Sequence, residues 1–323
     1  MSRIDVCLLV EPQALLLDLA GPAEAFRLAN QLLRGRGEPE AFRLRFIAAE
    51  PACISSVGLA LSGLEPLPEA LAPDSWLLLL GCRSPQPGDL PQDSATLAAA
   101  LRLRRWLARQ GRDLLESATG RLLCICSGAL LAAEAGLLDG RRCTTHHQLL
   151  DALRAAAPRA QVVDNRVFVF DGPLASSAGI TAGIDLALHL IAEHCGAALA
   201  AGVAQMMVVY LRRGSQDPEL SPLLAHRHHL HPALHRVQDA ICADPGQDWS
   251  LARMADTAHV TPRHLSRLFA SHAGTTPLHY LQAIRLERAR QARAQGLNTS
   301  QAALAAGFSS DQQLRRARRR HAG

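Results

Sequence analysis

Residues 122–147 read LLCICSGALLAAEAGLLDGRRCTTHH. The run 122–126 is short and apolar throughout, as expected of a buried strand in a parallel sheet. Ser127-Gly128 supplies a tight turn, and the stretch from 128 to 137 then predicts a helix that starts without a linker. Cys126 therefore stands at a strand-to-helix turn. This is the nucleophile-elbow arrangement, in which a side chain sits on strained backbone beside the free N–H groups of a helix start. His146 follows twenty residues on, after a short Gly turn.

The same alternation extends to both sides. Residues 4–10, 42–48, 76–80 and 167–170 are further short apolar runs and predict strands. Residues 95–112 are amphipathic with helical spacing, and 180–194 predict a helix packed on a sheet. Strands alternating with helices point to an α/β layer with a mostly parallel sheet.

The chain has 323 residues, enough for two domains. Its composition, 48% hydrophobic and 20% charged, excludes a wholly disordered chain. No apolar run approaches the ~18 residues needed to span a bilayer, so no membrane role is expected. The N-terminus lacks a signal-peptide shape, and the eight cysteines are scattered without a CxxC pair. Free thiols and a cytoplasmic location follow as expectations. There is no Gly-rich phosphate loop, and no cofactor is expected. All 34 basic residues are Arg, which reads as codon usage in a GC-rich genome.

Net charge is +5, but unevenly distributed. Residues 232–323 carry 13 Arg and six acids, net +7, and the remainder is net −2. A neutral body with a basic tail points to a polyanion partner, nucleic acid first. The boundary falls at 211–231, where Gly, Ser, two Pro and clustered charge mark a linker. His226, His228, His229 and His231 lie there without metal-ligand spacing or a thiol partner, so no metal site is assigned. Domains of 1–210 and 232–323 flank the linker.

From residue 232 the pattern is all helical, with breaks at 244–248, 274–277 and 296–299. In 249–269, WSLARMADTAHVTPRHLSRLF, one helix carries Leu251, Met254 and Ala255, and the chain breaks at 258–260. Thr261 then caps a second helix with Pro262 at its first position. Burying Leu265, Leu268 and Phe269 leaves Arg263, Ser266 and Arg267 on the opposite face, as a recognition helix requires. The unit recurs 48 residues later, with Ala255-x3-His259 matched by Ala303-x3-Gly307. Gly suits a turn at positive φ, and His tolerates it. Ser309 or Ser310 caps the second recognition helix, whose front carries Asp311, Gln312, Arg315 and Arg316.

The stretch 262–290, PRHLSRLFASHAGTTPLHYLQAIRLERAR, resembles the DNA-binding domain of AraC/XylS-type transcription regulators. The resemblance spans about 75 residues and implies two helix-turn-helix units reading adjacent major-groove turns of duplex DNA, ~10 bp apart. The second unit departs from the family. Ala292-Arg293 replaces a Leu pair, Ala302 replaces a large aliphatic, Arg318 stands where Phe is usual, and the C-terminal end reads as shortened. Each missing core side chain costs roughly 2–4 kcal/mol, so the second unit is expected to be the weaker one.

The elbow stretch, with 14–26 (ALLLDLAGPAEAF) and 175–188 (ASSAGITAGIDLAL), resembles the ThiJ/PfpI class I glutamine-amidotransferase-like domain over residues 3–200. Joined to the tail, the chain resembles a GlxA-type regulator. This implies a flavodoxin-like α/β sandwich followed by an all-α domain. The implied ligand site comprises Asp18, Gly81 with its backbone N–H, Cys82 where a second Gly is common, Cys126, Ser127, His146 and Thr181. Ser127 stands where protease-like members carry His. The implied function is a DNA-binding regulator that senses a small metabolite, an amino acid or quaternary amine, and acts as a homodimer. The alternative is an enzyme resembling isonitrile hydratases or amidases, with Cys126, His146 and Asp18 as its catalytic set.

Overall fold

The computed structural model describes residues 3–83, 94–179, 181–209, 226, 229, 231–294 and 296–321. Two compact units, Met1–Glu219 and Leu220–Gly323, divide the chain.

The first unit is built on a seven-stranded sheet. Strands β1 (Ile4–Leu9), β2 (Phe42–Ala48), β5 (Glu65–Pro66), β6 (Trp76–Leu79), β7 (Arg121–Ile125), β10 (Phe168–Asp171) and β11 (Leu174–Ser177) lie in the order β10-β11-β7-β6-β1-β2-β5. All neighbours are parallel except the β10–β11 hairpin. Two small ladders complete the β structure: β3 (Ala52–Ile54) with β4 (Ala60–Ser62), and β8 (Arg142–Cys143) with β9 (Gln161–Val162).

Successive residues of a strand point to opposite faces, and both faces are covered. Val6 and Leu8 join Phe26, Phe42, Trp76 and Leu186 beneath α1 (Leu16–Gly35), α5 (Ala182–Cys195) and α6 (Ala197–Met206). Cys7 and Leu9 join Leu107, Leu114, Leu131 and Leu153 beneath α2 (Ser94–Glu116), α3 (Gly128–Glu134) and α4 (Leu150–Ala156). This double covering explains why the central strands are continuously apolar rather than alternating.

The expected strands and helices are present, with shifted ends. Strand β7 stops at Ile125, because Cys126 turns to φ 54°. Helix α3 stops at Glu134 rather than 137, and Gly136 reverses the chain at φ 71°. The 167–170 run is half of a hairpin, and its second half, LASS at 174–177, overlaps the 175–188 stretch, in which no strand is read from sequence.

The second unit is helical: α7 (Pro232–Ala243), α8 (Leu251–Ala258), α9 (Pro262–Leu268), α10 (Pro277–Ala294), α11 (Thr299–Ala305) and α12 (Asp311–His321), with a π-turn at Phe269–Ala273. Thr261 caps α9, its Oγ1 accepting from the His264 N–H at 3.3 Å, with Pro262 behind it. His259 adopts the left-handed conformation (φ 55°) that ends α8, and Gly307 does the same (φ 82°) after α11. The first helix-turn-helix core is bulky: Leu234, Ile241, Met254, Leu265, Phe269 and Tyr280. The second is small: Ala289, Ala303, Ala306, Phe308 and Leu314. Two features offset its size. An Asn298/Gln301 capping box starts α11. Gly307 also packs against the Gly246 backbone, where the Arg285 guanidinium donates to the carbonyls of Pro245 (2.8 Å) and Gln247 (2.9 Å).

Most of the 211–231 stretch, His228 included, lies outside the described residues. His226 donates from Nδ1 to the Ala273 carbonyl at 2.8 Å, and the His229 carbonyl accepts from His235 Nε2 at 2.8 Å. Both contacts tie this segment to the helical unit.

Candidate functional site

The elbow is held by close packing around Cys126. Its backbone N–H donates to the Ser177 carbonyl at 3.1 Å, and its own carbonyl accepts from Thr145 Oγ1 at 2.7 Å. Three glycines make the site possible. A Cβ on Gly179 (φ 96°) would lie 2.6 Å from Cys126 Sγ, one on Gly81 would lie 2.8 Å from Cys126 Cβ, and one on Gly128 would strike the Leu79 carbonyl. Cys126 is 5% exposed.

Asp18 is fully buried in the first turn of α1, and its Oδ2 accepts from the Gly81 N–H at 3.2 Å. Ser127 Oγ accepts from the Cys82 N–H at 2.8 Å and donates to the Cys82 carbonyl at 3.0 Å. The structure thus brings Asp18, Gly81, Cys82, Cys126 and Ser127 together. It also uses the two N–H groups at the end of β6 to hold the wall, where an acyl-transfer enzyme would aim such donors at an oxyanion. Burial pushes the Cys82 thiol well above the ordinary range, with the Glu11 and Asp18 carboxylates acting in the same direction, so it stays protonated.

His146 lies one residue beyond the Thr145 tie. Its Nδ1 accepts from the Gln148 N–H at 3.4 Å, and its ring packs, tilted, against His147 with centroids 4.2 Å apart. Thr181 is exposed at the start of α5, just past Gly179. Both residues flank the elbow through their anchored neighbours.

Sequence reasoning missed an ion-pair network beside this cluster. Arg104 of α2 meets Glu11 at 3.3 Å and Glu134 at 2.7 Å. Glu11 follows β1, and burial raises its carboxyl above the usual range while Arg104 opposes the shift. Glu11, Arg104 and Glu134 share a cleft of about 300 Å³ with Leu80, Cys82, Arg83 and Ser127. The cleft lies over the ends of β1 and β6, where strand order reverses, which is the usual ligand position in an open α/β sheet. A larger cleft of about 500 Å³, lined by Val10, Ala48, Ala99 and Leu103, lies across Glu11 and Pro12. Only a Glu following a strand hinted at the network, because its members come from three separated elements.

On the second unit, Arg263 and Arg267 are exposed on α9, and Gln312, Arg315 and Arg316 are exposed on α12. Ser266 is half-buried, and its Oγ donates to the Pro262 carbonyl of its own helix at 3.0 Å. Asp311 accepts from Ser300 Oγ at 3.1 Å, tying α12 to α11. Ser310, rather than Ser309, caps α12 through the Gln313 N–H. In the first unit Arg3, Arg45, Arg121 and Arg154 each meet a carboxylate. Arg263, Arg267, Arg315 and Arg316 have no carboxylate partner among the described residues, so their charge faces outward.

Residues 100–193 match the DJ-1/PfpI family, and residues 254–323 match a helix-turn-helix domain. The regulator GlxA of Rhizobium meliloti is 31% identical over 296 residues, 91% of this chain and 86% of that protein. The chain belongs to the AraC-type helix-turn-helix transcriptional regulators that carry a DJ-1/PfpI domain. The regulator CdhR of Pseudomonas aeruginosa is 36% identical over 187 residues, 58% of this chain and 55% of that protein, so that match spans little more than half of the relative. A ThiJ/PfpI family protein from Pseudomonas syringae shares the fold, with TM-score 0.51 at 23% identity over 80% of this chain and 90% of that one. Membership in this family favours a regulator over a hydratase or amidase. No helix among the described residues is long and apolar enough to cross a membrane.

Proposed function

We propose that this regulator is a cytoplasmic homodimer. A sensing domain, residues 1–210, is joined through linker 211–231 to a DNA-binding domain, 232–323. The observation that carries the DNA-binding part of this reading is the exposed arginine without a carboxylate partner among the described residues on both candidate recognition helices, in a chain whose other unit pairs many of its arginines with carboxylates. Arg263 and Arg267 contact one major-groove segment, and Gln312, Arg315 and Arg316 contact the next, with phosphates and guanine edges as the partners.

The effector enters the cleft at the Cys126 elbow. Carboxylates from Glu11 and Glu134 stand there beside the guanidinium groups of Arg83 and Arg104. Both signs of charge in a cleft of about 300 Å³ suit a small zwitterion, an amino acid or a quaternary-amine carboxylate. The family likeness supports the same class. Of the residues assigned to the site, Cys82 and Ser127 line this cleft; Asp18, Gly81 and Cys126 pack together at the elbow beside them, and His146 and Thr181 are proposed to complete the site.

A thermal-shift screen of amino acids and quaternary-amine carboxylates tests this. A ligand at 100 times its Kd stabilises the wild type by about 2.7 kcal/mol through mass action. Cys126→Ala is expected to lose most of that shift while retaining DNA affinity. A shift of equal size in the variant would remove the effector site from the elbow.

A further inference from the structure

Within α9, His264 and Arg267 lie one helical turn apart, and Arg267 Nη2 donates to His264 Nδ1 at 3.0 Å. The imidazole is then in the tautomer that carries its proton on Nε2. His264 is half-exposed, its backbone N–H is held by the Thr261 cap, and Arg267 is exposed. Arg263, on the same face, has no side-chain hydrogen bond among the described residues.

We infer that His264 is a positioning residue that orients the Arg267 guanidinium for base recognition. The inference rests on the reading of α9 as a recognition helix. An arginine free in solution loses rotamer freedom when DNA fixes it, and a side chain ordered beforehand loses less. Bidentate recognition of a guanine edge also needs the planar fork at a fixed angle. A carboxylate would supply the same tether but neutralise the charge that draws the helix to phosphate. A neutral imidazole acceptor fixes the fork and leaves its charge intact. His264 thus acts through Arg267, sharpening discrimination at the base that Arg267 reads.

The test uses full-length protein and a duplex enriched by in vitro selection on the wild type, with all four base pairs substituted at each position. Arg267→Ala is expected to lower discrimination about 10-fold or more at one position. His264→Phe keeps a ring but removes the acceptor, and is expected to lower discrimination at that same position about 3- to 10-fold. His264→Asn, which restores an acceptor close to the helix, is expected to recover most of it. In the Arg267→Ala background, His264→Phe is expected to add nothing. A uniform loss of affinity for every duplex, or a His264→Phe effect that persists without Arg267, overturns the inference and leaves the recognition helix standing. If Arg267→Ala alters no position, the reading of Arg267 fails, and the role of His264 fails with it. Unchanged melting of both His264 variants shows that the readout is recognition rather than folding.

Discussion

Cys126 sits on left-handed backbone, a conformation that costs a non-glycine residue about 1–2 kcal/mol and persists only where the surroundings enforce it. The surroundings are specific: Gly81 and Gly179 leave room for the side chain, and Ser177 and Thr145 hold the backbone on both sides. Gly179→Ala therefore strikes the elbow twice, through its own φ of 96° and through a Cβ against Cys126. It is expected to cost at least about 1–2 kcal/mol and to lower Tm by several degrees, measured by calorimetry on the full chain. An unchanged Tm would show that the elbow has slack that the packing denies. Cys126 was legible as a residue because strand, Cys, turn and helix follow one another without a gap. Gly179 was legible only as part of a motif. Its purpose needed the third dimension, where β11 brings it against a residue 53 positions earlier in the chain.

The elements differ in how much of their physics is local. Helix α9 was readable from its Thr-Pro start and apolar spacing, since cap, first turn and buried face all lie within nine residues. Strand β11 was not readable, because Ser176 and Ser177 have no strand signature and are placed by pairing with β7. The same non-locality hid Arg104, one of several arginines on α2, singled out by the carboxylates it meets. In Arg104→Ala, Glu11 loses the cation that opposes its raised pKa. The sign follows from linkage. A carboxyl raised by the fold favours the folded state below its ordinary value of 4.5, and that advantage fades as pH rises through the raised value. The variant's deficit is therefore expected to be about 1–3 kcal/mol near neutrality and to shrink near pH 4, followed by urea unfolding across pH. A deficit that grows on acidification would contradict the assignment. The second helix-turn-helix offers a sharper test. Phe308 is the bulkiest side chain in a core otherwise made of alanines and Leu314. Phe308→Ala is expected to cost about 3–5 kcal/mol, enough to unfold α11 and α12 selectively. Hydrogen exchange should rise in 299–321 and stay slow in 251–268. Equal protection in both segments would show that the alanine core does not depend on Phe308.

Across the whole chain, the charge imbalance has a structural counterpart. Residues 1–231, net −2, neutralise many of their arginines locally, and the segment that is net +7 exposes them on two helices of similar construction. Since every basic residue is Arg, each charged donor facing DNA is a planar fork suited to phosphate or guanine. Charge, repeat spacing and the elbow together made the two-part architecture readable in advance. The charged cleft itself was not readable, because it is assembled at the reversal of strand order from residues more than 100 positions apart, Glu11 and Glu134 among them. The measurement that tests the central claim most directly is a footprint on duplexes selected by the full-length wild type, repeated with Arg263→Ala/Arg267→Ala. The account predicts two protected major-groove segments ~10 bp apart in each half-site, with one lost in the variant. No enrichment by the wild type, or an unchanged footprint in the variant, would contradict it.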